Sequence, residues 1–158
     1  MDSKIKKRKE LEKIAKQLKE KGKKIVTTNG TFDLLHYGHK KLLEYAKEQG
    51  DILIVGMNSD KSIKLYKDMN RPIVRQKYRA EILSSIRYVD YVNIFHEPNP
   101  IKFLKAVKPD IHVNSTAYGH DCVEREAVEK YGGKIKLFDI IEGHSTSELI
   151  KKILVTQK

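Results

Sequence analysis

Apolar and polar positions follow two alternating patterns along this chain. Short runs rich in isoleucine and valine, at 24–28, 51–57, 88–95, 110–114 and 134–138, read as strands. Between them, residues 40–49, 59–64, 75–86, 101–107, 121–131 and 148–154 carry apolar side chains three or four apart and read as helices. Ser59 and Ser145 stand where N-caps belong, and Gly132-Gly133 where a helix stops. Ile52-Leu53-Ile54-Val55 is apolar at every position, as a strand buried on both faces must be. Strands separated by helices predict α/β architecture: a single Rossmann-like, doubly wound domain with a five-stranded parallel sheet. Ahead of it, Ile5, Leu11, Ile14, Ala15 and Leu18 form a thin apolar stripe, which predicts an N-terminal amphipathic helix. The chain thus divides into 1–22, a basic helix packing on the domain, and 23–158, the domain itself. Ligands of such sheets bind outside the carboxyl ends of the strands, at the point where the strand order reverses.

Composition narrows the class. At 158 residues the chain has the size of one domain and can bury a real core. No stretch approaches the roughly 18–20 apolar residues that span a bilayer, and the N-terminus lacks the apolar core of a secretory signal. A single cysteine, Cys122, excludes an intramolecular disulfide and fits a reducing compartment. A cytoplasmic protein without a membrane partner is expected. The net charge is +11, and residues 1–24 hold eleven Lys/Arg against four Asp/Glu. Such a segment could bind nucleic acid, but no aromatic residue precedes Phe32 to stack a base, and Glu10, Glu12 and Glu20 dilute the run. A solvated helix face is the better reading, and nucleic acid is not the expected partner.

The chemistry concentrates at Thr28-Asn29-Gly30-Thr31-Phe32-Asp33-Leu34-Leu35-His36-Tyr37-Gly38-His39, a strand-to-helix turn. A helix N-terminus offers unpaired N–H groups and the positive end of a dipole, so it seats phosphate. Gly30 and Gly38 let the backbone approach a ligand, and His36 and His39 add two imidazoles. Glu142-Gly143-His144-Ser145-Thr146-Ser147 precedes the last helix with three hydroxyls, either an ordinary cap or a second phosphate seat. Lys64, Lys67, Arg71 and Arg79 follow the second strand. They are candidate cations for the charge that phosphoryl transfer spreads over phosphate oxygens, or simply a solvated basic loop.

The run Gly-Thr-Phe-Asp-Leu-Leu-His-x-Gly-His, between a strand and a helix, resembles the HxGH nucleotidyltransferase superfamily of cytidylyltransferase-like proteins. Within it, the chain looks most like nucleotidyl domains that activate D-glycero-D-manno-heptose 1-phosphate, as in ADP-heptose synthesis for lipopolysaccharide or other surface carbohydrate. Asn58-x-Asp60, Asn70-Arg71-Pro72-Ile73, Gly132-Gly133-Lys134 and the Ser145-Thr146-Ser147 tail carry that likeness, which extends over about residues 24–154. The resemblance implies that a sugar-phosphate oxygen attacks the α-phosphorus of a nucleoside triphosphate, ATP before CTP or GTP, and that pyrophosphate leaves. It implies catalytic roles for His36, His39, Lys64, Lys67 and Arg79. Nucleotide contacts would come from Asn29, Gly30, Thr31, Phe32, Asp33, Gly38, Asn114, Ser115, Tyr118, Ser145, Thr146 and Ser147. Mg²⁺ would accompany the triphosphate without a dedicated protein cage, and the chain would form a homodimer.

Two departures bear on the substrate. Glycerol-3-phosphate cytidylyltransferases, which use CTP, carry an arginine before the last motif; Ile140-Ile141 stand there instead. The heptose group follows its fourth strand with Lys-Gly-x-Asp-Tyr, where this chain has Asn114-Ser115-Thr116-Ala117-Tyr118. The kinase domain of bifunctional heptose proteins is not in these residues, so a separate enzyme is expected to supply the 1-phosphate. A glycerol-3-phosphate cytidylyltransferase, and a non-catalytic domain that binds nucleotide or nucleic acid, are the alternative readings.

Overall fold

The computed structural model describes residues 3–67 and 69–157. Met1, Asp2, Asp68 and Lys158, which the expected segments 1–22 and 23–158 include, lie outside the described residues. In chain order the elements are α1 (Arg8–Glu20), β1 (Ile25–Gly30), α2 (Tyr37–Glu48), β2 (Ile52–Asn58), α3 (Asp60–Lys64), α4 (Gln76–Ser85), β3 (Tyr91–Phe95), α5 (Ile101–Val107), β4 (Ile111–Ser115), α6 (Arg125–Glu129), β5 (Lys134–Phe138) and α7 (Thr146–Thr156). The five strands form one sheet in the order β3-β2-β1-β4-β5, every pair parallel. The winding reverses between β1 and β4, which places a crevice at their carboxyl ends.

Successive strand residues point to opposite faces and feed two cores. Val26, Leu53 and Val55 join Leu43 and Ala46 of α2 and Ala80 and Leu83 of α4 on one face. Ile25 and Ile54 join Leu11 and Ala15 of α1 and Phe103 and Leu104 of α5 on the other. This two-sided cover explains the unbroken apolar runs of the inner strands. Gly56 sits under α5, where an added Cβ would lie 2.7 Å from the Phe103 ring.

The expected α/β class, strand count and parallel sheet are all present, and the structure adjusts the details. Ile5 is not on the N-terminal helix: it bridges Val92, and Lys6 N donates to the Val92 carbonyl at 2.8 Å, so this segment covers the open edge of β3. The helix expected over 121–131 shrinks to α6, because residues 120–124 run as turns. The strand expected from residue 88 starts at Tyr91. Ser59 and Ser145 cap α3 and α7 as the sequence predicts, Ser145 with Glu148 in a full capping box.

Candidate functional site

The crevice has two adjoining lobes, each of about 320 Å³, which share Thr31, His39, Leu42, Lys67, Ser115 and Tyr118. The first lobe opens over the ends of β1 and β4, with Asn29, Gly30, Phe32, Asn58, Asn114 and Glu124 in its wall. The second lies between the N-termini of α2 and α7 and is lined by His36, Gly38, Arg71 and Ser145, Thr146 and Ser147. Two helix N-termini therefore face one cavity that also carries two basic side chains, which is the composition of an anion seat.

His36 is the N-cap of α2 with extended backbone and no side-chain cap bond, and His39 lies in the first turn. Their rings stack with centroids 3.8 Å apart. Phe32, held at a left-handed φ of 47°, packs its ring 5.1 Å from that of His39. Burial, followed by the charges of His36 and Lys67, pushes the His39 pKa down to about 3. Burial and His144 also lower that of His36. Both imidazoles are thus neutral near pH 7, each able to donate one N–H. The Nδ1 atoms of both are buried without a hydrogen-bond partner. Lys67 is likewise held below its ordinary pKa, first by burial and then by Arg71.

Gly38 also has a role in the protein's own packing. An added Cβ would stand 2.6 Å from the His144 carbonyl oxygen and 3.0 Å from the His36 ring. Only glycine lets the start of α2 and the turn before α7 close on each other. That turn is built by His144 N donating to the Ile141 carbonyl at 3.2 Å, with Gly143 at a φ of 77°.

Most of the predicted site residues converge here: His36, His39, Lys67, Asn29, Gly30, Thr31, Phe32, Gly38, Asn114, Ser115, Tyr118, Ser145, Thr146 and Ser147 all line one lobe or both. Three do not. Lys64 is exposed at the end of α3 and lines neither lobe. Asp33 is buried, and its carboxylate accepts from Ile73 N at 3.0 Å and Val74 N at 2.9 Å and pairs with Arg71 Nε at 2.9 Å. It ties the 71–74 loop to the end of β1 instead of facing the cavity. Arg79 has a wholly buried guanidinium that donates to the carbonyls of Val74, Asn58 and Thr31 and to Asp60 Oδ1. It stands behind the site as a clamp, not in it as a phosphate cation. Conversely, Glu124 and Tyr66, which no local pattern singled out, line the first lobe, as does Asn58, which the sequence offered only as part of the Asn58-x-Asp60 likeness. Only the folding of three distant segments onto one cavity brings them there.

No group of three or more His, Cys, Asp or Glu able to hold a metal ion exists among the described residues. No described helix is long and apolar enough to cross a membrane.

A family model described as cytidylyltransferase-like matches residues 27–152. The bifunctional protein HldE of Geobacter metallireducens is 43% identical over 154 residues, which cover 97% of this chain and 31% of that protein. The protein of the same name from Nitratiruptor sp. is 46% identical over 145 residues, 91% of this chain and 30% of the relative. The chain thus spans about a third of the length of these curated relatives. Among solved structures, a lipopolysaccharide core biosynthesis protein from Thermoplasma volcanium superposes with a TM-score of 0.62 at 30% identity, covering 76% of this chain and 98% of that one. A pantoate-beta-alanine ligase from Francisella tularensis, at 20% identity and a TM-score of 0.65 over 87% of this chain and 67% of its own, shares the fold.

Proposed function

This chain belongs to the cytidylyltransferase-like family, and from that premise we propose that it is a nucleotidyltransferase, joining AMP from ATP to a sugar phosphate, D-glycero-D-manno-heptose 1-phosphate, with release of pyrophosphate. The observation that carries this reading is the second lobe, where the stacked His36–His39 pair, Lys67, Arg71 and the Ser145–Thr146–Ser147 helix start face one another. A triphosphate is the ligand whose charge needs all of them. In the proposed reaction an oxygen of the sugar phosphate attacks the α-phosphorus. A new P–O bond forms, the bond to the bridging α–β oxygen breaks, and the electron pair leaves with pyrophosphate. The attacking group is already an anion, so no protein nucleophile or base is needed. The protein's part is alignment and charge stabilisation. His36 and His39 donate hydrogen bonds to phosphate oxygens, Lys67 and Arg71 balance charge, and the α7 N-terminus holds the departing phosphates. Mg²⁺ enters as part of the nucleoside triphosphate substrate, so each of these steps uses the chain's own side chains.

The heptose assignment is supported by the Asn70-Arg71-Pro72-Ile73 segment, by Ile140-Ile141 where cytidylyltransferases for glycerol 3-phosphate carry arginine, and by the likeness to HldE proteins and to the Thermoplasma lipopolysaccharide core protein. Pyrophosphate release, measured with Mg²⁺ for ATP, CTP and GTP against both anomers of heptose 1-phosphate and against glycerol 3-phosphate, tests it. Turnover is expected with ATP and one heptose anomer. Turnover confined to CTP and glycerol 3-phosphate would keep the chemistry and overturn the substrate. Silence across the grid would overturn the transfer activity for these acceptors.

A further inference from the structure

The two lobes differ in the charge they offer. Arg71, His36 and both helix starts belong to the second lobe, with Lys67 between the two. The first lobe is walled by a carboxylate. Glu124 is only 6% exposed, yet its oxygens receive long hydrogen bonds from Asn29 Nδ2 at 3.4 Å and Asn114 Nδ2 at 3.3 Å and otherwise only the weak donor of the Cys122 thiol. Among the described residues no cation pairs with Glu124, and its side chain makes no cap bond to α6 although it occupies the N-cap position. In the same lobe, Asn29 Oδ1 is buried without a partner. Burying a carboxylate on such weak donors is costly unless something better reaches it. The wall of this lobe therefore holds a carboxylate with only weak donors and an amide oxygen with none, and a phosphate there would meet like charge.

We propose that Glu124, positioned by Asn29 and Asn114, is a specificity-determining residue that accepts hydrogen bonds from a vicinal pair of hydroxyls on a sugar ring of the substrate. Neighbouring hydroxyls match the two oxygens of one carboxylate, with Asn29 Oδ1 beside them as a further acceptor. The sugar is either the ribose of the nucleotide or the ring of the acceptor. The inference deepens the nucleotidyltransferase reading and rests on it for the identity of these ligands. It also supplies a carboxylate to a loop in which Ala117 stands where related heptose proteins carry aspartate.

Titration calorimetry tests it with wild type and Glu124→Gln, using pyrophosphate, ATP, 2′-deoxy-ATP, 3′-deoxy-ATP and heptose 1-phosphate as separate probes. Losing a charged acceptor from a paired hydroxyl weakens binding about tenfold or more. If the ribose is the partner, Glu124→Gln weakens ATP by that factor, wild type rejects a deoxy analogue, and the variant no longer tells it from ATP. If the acceptor ring is the partner, heptose 1-phosphate weakens and ATP does not. In both cases pyrophosphate, which needs only the second lobe, binds the variant as it binds wild type. Equal weakening of pyrophosphate would reveal a merely structural role, and unchanged affinity for every probe, or weakened ATP with deoxy discrimination kept, would overturn the proposal. Glu124→Asp, which keeps the charge but shortens its reach, serves if the glutamine variant does not fold, with the same outcomes expected. Absence of turnover in wild type would count against the transfer activity while leaving this binding comparison intact, so the two failures are distinguishable.

Discussion

His39 concentrates most of the site's local logic in one side chain. It sits in the first turn of α2, its ring stacks on that of His36 and packs near that of Phe32, and its Nδ1 is buried without a partner. Burial keeps it neutral far below pH 7, so in the free protein it is a hydrogen-bond donor and not a cation. A donor aimed at charge that develops only during reaction acts on kcat more than on binding. His39→Ala is expected to lower kcat by about a hundredfold or more, while circular dichroism and the melting transition show a folded domain. Retained kcat would remove His39 from the mechanism. Both histidines were legible in the sequence because a strand-to-helix turn is a local structure, and spacing along the chain fixes which residues reach the helix start. The glycine between them has a packing role that its position did not suggest. Gly38 makes room for the His144 carbonyl, more than one hundred residues away in sequence, and no local pattern announces such an encounter.

At the scale of elements, α4 shows where pattern reading stops. Its existence and limits follow from Ala80, Leu83 and the spacing around them, but the role of Arg79 does not. A basic residue on a helix following a lysine-rich loop reads as a phosphate ligand. The fold instead draws the guanidinium inward, where it joins the ends of β1 and β2 through Thr31 and Asn58 and the start of its own helix through Val74. Its pairing with Asp60 at 2.7 Å completes the set. Removing one partner from a buried, fully bonded charge strands the others. Arg79→Met is therefore expected to cost on the order of 3–5 kcal/mol in urea unfolding. A phosphate-binding arginine would behave differently, raising KM for the nucleotide with the unfolding midpoint unchanged. Asp33 follows the same rule: it reads as a site carboxylate and serves as the anchor of the 71–74 loop. In each case the chain specifies the side chain and its chemistry, and the direction it faces depends on what packs behind it.

The whole molecule is held by a sheet with helices on both faces, and its seam contains a titratable group. His112 on β4 is entirely buried beside β1, with Nδ1 2.8 Å from Thr27 Oγ1 and Nε2 unpartnered. Burial pushes its pKa from the usual 6.5 down to about 3. The unfolded chain therefore takes up a proton below pH 6.5 that the folded chain refuses until about pH 3, so stability falls as pH drops through that interval. Glu97, whose carboxyl Arg8 holds down near 2, contributes only below its ordinary value of 4.5. Between pH 6.5 and 4.5 the slope belongs to the histidines whose pKa burial lowers, His112 and His39 most and His36 with them. Urea unfolding is expected to lose on the order of 1–3 kcal/mol per histidine across that window. His112→Asn should flatten the slope, and an unchanged slope would place its origin elsewhere. The N-terminal segment belongs to this whole as well. Leu11 and Ala15 are core residues, and Arg8 makes a bidentate pair with Glu97 at 2.8 and 2.7 Å, so α1 is part of the domain's packing and not a basic appendage.

Composition, periodicity and turn chemistry are properties of neighbouring residues. They sufficed to determine the alternation of strands and helices, the parallel sheet, the capped start of α7 and the histidine pair at the mouth of α2. The tertiary structure alone decided the rest: that β1 and β4 lie side by side, that Glu124 closes the first lobe opposite Asn29, and that Arg79 and Asp33 turn away from the cavity. Those outcomes depend on contacts between segments tens of residues apart. Such contacts are set by which faces must be buried and which buried polar groups must find partners, and no window along the chain contains both sides of them.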